Sequence, residues 1–162
     1  MKKSINLELT PAEKNILKAK KVKQKDLLDY APDEITSLLN ASPGRAKILH
    51  ALHEFQSIPS VGVKFAHDLM FLGYYDVASL KNKAGHKLLN DYEKLSGFWT
   101  DPCVEDQFRL VVHYANNPGS KKQWWDFTAE RKAFRSQYGY PATRPGNTWH
   151  APAYQEEKML AL

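Results

Sequence analysis

Cysteine is nearly missing from this chain. Cys103 is the only one among 162 residues, so no intramolecular disulfide can form, and a reducing compartment is the expected setting. Long hydrophobic runs are missing as well. No stretch approaches the roughly 20 apolar residues that a membrane span needs. The basic start Met1-Lys2-Lys3-Ser4 is not followed by an apolar region, which argues against a signal peptide. These absences predict a cytoplasmic protein with no membrane partner. No grouping of residues suggests catalysis either, and neither an enzymatic activity nor a cofactor is expected.

A sustained excess of one charge is also lacking, although the net charge is +5 and the pI about 9.2. Residues 1–41 hold 8 basic and 6 acidic side chains, 42–118 hold 8 of each, and 119–162 hold 7 basic and 4 acidic. A basic total invites a nucleic-acid reading. With the middle neutral, any grip on phosphate must come from local placement or from the flanks.

What the chain does have is helix signals. Hydrophobic residues make up 43%, enough at this length for a globular core. Thr10-Pro11-Ala12-Glu13 is a capping box with proline at the first helical position, predicting a helix to about Lys20. A lysine-rich turn follows, and Asp26 is expected to cap a short turn at Leu27-Leu28. Pro32 opens a helix with Ile35, Leu38 and Leu39 on one face, and Ser42-Pro43 opens another carrying Ile48, Leu52 and Phe55. Phe65, Ala66, Leu69 and Leu72 predict a helix that stops at Gly73, and Leu88, Leu89, Tyr92 and Leu95 form a further stripe. Asp101-Pro102 starts a helix with Val104, Phe108, Val111, Val112 and Ala115 inward. Trp124 to Phe134 reads as a short helix, followed by irregular chain through Tyr138-Gly139-Tyr140-Pro141 and Arg144-Pro145-Gly146. A faint internal echo relates Leu38-Leu39-Asn40 to Leu88-Leu89-Asn90. The expected division is an N-terminal helical segment, 1–41, a central core, 42–118, and an aromatic, basic tail, 119–162.

The richest motif runs from Ile58 to Ala66. Ile58-Pro59 ends one helix, Gly62 allows close backbone approach, and a new helix start near Lys64 offers outward N–H groups to an anion. Ala66 is small where two helices must meet. The candidate contact residues are Pro59, Ser60, Val61, Gly62, Val63 and Lys64. The stretch resembles the helix-hairpin-helix family, whose pattern is Ile-Pro-Gly-Ile-Gly-Pro-Lys-x-Ala. From about Arg45 to Trp125 the chain is similar to one branch of it, the small bacterial pathogenicity-locus or mitomycin-resistance-like proteins. The marks are Ile58-Pro59-x-Val61-Gly62, Leu69, Leu72-Gly73, Gly97, Asp101-x-Cys103-Val104, Phe108-Arg109 and Tyr114-Ala115. The resemblance implies an all-α, compact helical domain built around helix-hairpin-helix units, with the aromatic tail packed on it. It further implies sequence-independent binding to double-stranded DNA through backbone amides. Two residues depart from the pattern: Ser60 replaces the first hairpin glycine, and Val63 replaces a proline or small polar residue. A hairpin kept only for packing helices, in a protein-interaction or scaffold module, is the competing reading.

Other features are expected to be structural. Ser96 to Asp101 reads as a second, degenerate hairpin, where Asp101, Glu105 and Asp106 would repel phosphate. Asp101 lies too far from Gly62 for the catalytic aspartate of helix-hairpin-helix glycosylases. Cys103 is expected to be a small buried residue that packs. His50 and His53 are spaced as a metal pair could be, but Glu54 is expected to be rotated away, and no metal site is predicted. Lys121, Lys122, Arg131, Lys132, Arg135 and Arg144 alternate with aromatic residues, as single-stranded nucleic acid would require. The alternative is packing of the aromatics on the core, the expected role of Trp124 and Trp125.

Overall fold

Prolines and short polar side chains set most of the helix starts, as local chemistry dictates. A computed structural model describes residues 4–149; the extreme start Met1-Lys2-Lys3 and the end of the tail segment, 150–162, lie outside the described residues. Helix α1, Pro11–Ala19, sits behind Thr10, whose Oγ1 accepts from the Glu13 N–H at 3.1 Å while Glu13 Oε1 accepts from the Thr10 N–H at 2.9 Å. Helices α2, Pro32–Leu39, and α3, Pro43–Gln56, follow; Ser42 caps α3 by accepting from the Arg45 N–H at 3.1 Å. Helix α4 is Val63–Phe71 and α5 is Gly85–Ser96. Helix α6, Pro102–Asn116, is capped by Asp101, and α7 is Thr128–Tyr138. Short 3-10 helices cover Gln24–Asp29, Ala78–Leu80 and Trp124–Phe127. The protein is all-α: among the described residues no strand forms, and no helix is long and apolar enough to cross a membrane.

The chain folds as two compact units, Met1–Leu80 and Lys81–Leu162. In the first, α3 is the central element. It buries Ala46, Leu49, Ala51, Leu52 and Phe55, and also His53 and Gln56. The Gln56 amide pins the chain ahead of α1, donating from Nε2 to the Asn6 carbonyl at 2.6 Å and accepting from the Asn6 N–H at 3.0 Å. Arg45 bonds to Glu13 through Nε and Nη2, at 3.0 and 2.8 Å. The Arg45 guanidinium therefore holds the Glu13 carboxyl below its ordinary pKa. The predicted face of α3 was narrower: Ile48 is only half-buried, and the deepest positions include the unforeseen Leu49. Asp26 does not cap forward; it accepts from the N–H of Lys23 behind it, at 3.3 Å.

In the second unit α5 crosses α6 with almost no space between them. A Cβ added to Gly85 would lie 2.7 Å from Arg109 Cα and 2.8 Å from Arg109 N. Only glycine permits that approach, because backbone atoms cannot move aside as a side chain can. Leu88, Leu89 and Tyr92 are buried as predicted, but Leu95 is 58% exposed, and the buried place on the helix is taken by Glu93 at 1%. Helix α6 likewise buries Glu105 and Asp106 completely. The sequence marks these two acids only as charges that would repel phosphate; their burial and pairing with arginines give them a structural role instead. Asp106 accepts from Arg131 Nε at 2.7 Å and from Thr128 Oγ1 at 2.8 Å. Glu105 accepts from Arg135 Nε at 2.7 Å and Arg109 Nε at 3.0 Å. Removing one partner from such a buried pair costs about 3–5 kcal/mol, so these bonds fix α7 on α6. Helix α7 also runs on to Tyr138, beyond the expected end at Phe134. The internal echo falls out of register: Leu38-Leu39 closes α2, whereas Leu88-Leu89 lies in the first half of α5.

Candidate nucleic-acid interface

The turn between α3 and α4 is built by main-chain bonds. Helix α3 tightens at its end, where the Ser57 N–H donates to the His53 and Glu54 carbonyls, each at 3.2 Å, and the Ile58 N–H donates to Phe55 O at 3.1 Å. A four-residue turn, Ile58-Pro59-Ser60-Val61, then closes with the Val61 N–H donating to Ile58 O at 3.2 Å. Proline suits the second position of such a turn, and the third demands a positive φ, which glycine supplies most readily. Here the third position is Ser60, at φ +56°. Side chains on either side anchor the turn: Ile58, Val61 and Ala66 are fully buried and Phe65 is 3% exposed.

What remains faces outward. Pro59, Ser60 and Val63 are half-buried, and Gly62 and Lys64 are exposed. Val61 is fully buried, main chain and side chain alike, and its N–H is spent on Ile58 O, so it drops out of the candidate contacts. Gly62 is the N-cap of α4, with φ −99° and ψ −179° and no side-chain bond to the first turn. That is extended backbone, open to any residue, and a Cβ added there would meet nothing within 4 Å. Neither strain nor packing inside the chain calls for glycine at this position. The first-turn amides of a helix lack intrahelical acceptors and carry the positive end of its dipole. One turn further on, His67 Nε2 meets the Glu8 carboxylate.

The remaining candidates fall elsewhere. Glu54 is not rotated away from His50: His50 Nε2 lies 2.7 Å from Glu54 Oε2, and Glu54 Oε1 accepts from the Val77 N–H at 2.6 Å. That carboxylate raises the His50 pKa, whereas burial pushes His53 down to about 4. Among the described residues no three His, Cys, Asp or Glu side chains gather as metal ligands would. Cys103 is exposed, not buried as expected. Partial desolvation and the neighbouring Asp101 raise its pKa, which disfavours a reactive thiolate. In the tail, Arg131, Arg135 and Arg144 are held by Asp106, Glu105 and Glu93, while Lys121, Lys122 and Lys132 are exposed. Trp124 is half-buried, but Trp125 is 54% exposed, so the pair does not simply pack on the core. The three buried acids, Glu93, Glu105 and Asp106, carried no sequence signal beyond their position on the helix.

An all-helical protein with an anchored, glycine-capped helix start turned to solvent is the class these features define. The chain belongs to the pathogenicity-locus family, Cdd1, which matches residues 49–133, slightly more than half of it. The matched stretch includes the α3–α4 turn, all of α5 and α6, and the first part of α7. No curated protein and no solved structure matches the chain.

Proposed function

We propose that the α3–α4 turn is a helix-hairpin-helix that binds the backbone of duplex DNA without reading its sequence, and that the protein binds and does not catalyse. The observation that carries this reading is Gly62. Its conformation is ordinary and its surroundings are empty, so the value of a missing side chain there lies in the approach of something outside the chain. A phosphate fits: the first-turn amides of α4 would donate to its oxygens, and exposed Lys64 would neutralise its charge. The half-buried Val63 supports the competing reading, a protein-binding platform, since an apolar side chain at the rim suits a protein better than a phosphate.

Fluorescence anisotropy with unrelated duplexes at low salt separates the two. Lys64→Glu places an acid in the first turn of α4, where the helix dipole favours it, so the melting temperature should hold. Duplex affinity should fall about ten-fold, equivalent to about 1.4 kcal/mol. Gly62→Ser keeps a good N-cap but puts atoms where the phosphate would sit, and should weaken binding similarly. If both variants stay folded and bind duplex like the parent, the turn is scaffold only.

A further inference from the structure

Glu93 poses a separate problem in the second unit. It is 1% exposed, and within the family-matched residues Thr100 donates to its Oε2, from the N–H at 2.6 Å and from Oγ1 at 3.3 Å. Both are neutral, and a buried carboxylate calls for a cation. The cation comes from beyond the match. Arg144 donates from Nε to Oε1 at 2.8 Å and from Nη2 to Oε2 at 3.0 Å, the paired geometry in which guanidinium binds carboxylate best. Its guanidinium also lies 5.2 Å from the centre of the Trp99 ring and 3.7 Å from that of Tyr140, within range of cation–π attraction.

Main-chain pairing continues the contact. The Trp99 N–H donates to Asn147 O at 2.8 Å, and the Trp149 N–H donates to Trp99 O at 2.9 Å, on either side of a parallel bridge between Trp99 and Thr148. A charged anchor in a carboxylate pocket followed by strand-like pairing is how extended peptides are held by their receptors. The receiving residues Glu93, Trp99 and Thr100 lie inside the family match at 49–133, and the occupying residues 144–149 lie outside it.

We propose that the end of α5 and the loop into α6 form a receptor for an extended, arginine-bearing peptide segment, and that residues 144–149 are its tethered occupant. The ligand it takes carries an arginine spaced from a strand-pairing residue as Arg144 is from Thr148. The short link from Gly139 to Thr143 keeps the occupant at high effective concentration, so the site is closed in the intact chain and opens to an outside peptide only when the tether is cut.

The test uses the full chain with a protease recognition sequence inserted between Ala142 and Thr143, both exposed. A fluorescent synthetic peptide of residues 143–149 is titrated before and after cleavage. The cut chain should keep its helical circular dichroism and bind the peptide at least about 100-fold more tightly than the uncut chain does. The same peptide with Arg144→Ala should bind the cut chain about ten-fold or more weakly. Loss of helical signal on cutting would overturn the proposal, because the segment would then be part of the core. Failure of the cut chain to bind the peptide, or equal binding of the two peptides, would overturn it as well.

Discussion

Ser60 holds a backbone conformation that its side chain disfavours. At φ +56° it occupies the left-handed region, which costs an L-residue roughly 1–2 kcal/mol relative to glycine. The bond from the Val61 N–H to Ile58 O and the burial of Ile58 and Val61 hold it there. Ser60→Gly should relieve the strain, less the entropy that glycine adds to the unfolded chain, for a net gain of up to about 1 kcal/mol. For a chain of this length that is a rise in Tm of roughly 2–4 °C, read by thermal melting. An unchanged or lower Tm would show that the serine side chain itself stabilises the turn. Duplex binding of the same variant tests the place of Ser60 among the candidate contacts: unchanged affinity would confine the contact to Gly62 and Lys64, and a change would keep Ser60 in it.

Among the elements, α3 links burial to pH. His53 is 6% exposed, and among the described residues its buried Nε2 has no hydrogen-bond partner; burial takes its pKa from 6.5 to about 4. The unfolded chain therefore binds a proton between those values that the folded chain refuses. Stability is full above pH 6.5 and is lost as pH falls, by about 2 kcal/mol at pH 5 from this group alone. His50 has the opposite sign: its raised pKa adds stability that is complete below 6.5 and lost as pH rises above it, so the two windows do not overlap. His53→Leu should reduce the loss between pH 6.5 and 5 by about the 2 kcal/mol that this group accounts for, leaving the part due to His86 and His113, whose pKa values burial also lowers. Urea unfolding at both values measures it, and an unchanged loss would assign the acid sensitivity to those two. Nothing in the sequence distinguished His53 from an exposed histidine, whereas the starts of α1, α3 and α6 were legible because a cap and a proline act within one turn, and that of α2 from Pro32. The α3–α4 turn was legible for the same reason. Glu93, Glu105 and Asp106 were not, since their partners Arg144, Arg135 and Arg131 lie 51, 30 and 25 residues away. Gly85 was missed too: its need depends on where α6 crosses it, and the open space at Gly62 is likewise a property of the folded chain.

Across the chain, the net charge of +5 overstates what the start of α4 alone can use. Arg45, Arg131, Arg135 and Arg144 are bound to acids, and each such pair presents little field to a distant phosphate. If the duplex is held at the start of α4, Lys64 is the lysine that displaces counterions there, while the amides contribute dipoles and not charge. The plot of log affinity against log salt should then have a slope between about −1 and −2, since each phosphate neutralised contributes about −0.9. Lys64→Glu should flatten it by about 1. The lysines at 18, 20, 21, 23 and 25 provide the contrast, because a contact spread over that segment would give a slope of roughly −4 or steeper. Anisotropy titrations across a range of salt concentrations, on the parent and on Lys64→Glu, distinguish the two. A steep slope left unchanged by Lys64→Glu would move the phosphate contact from the start of α4 to the turn after α1. A shallow slope that flattens further in the variant would leave it at Gly62 and Lys64.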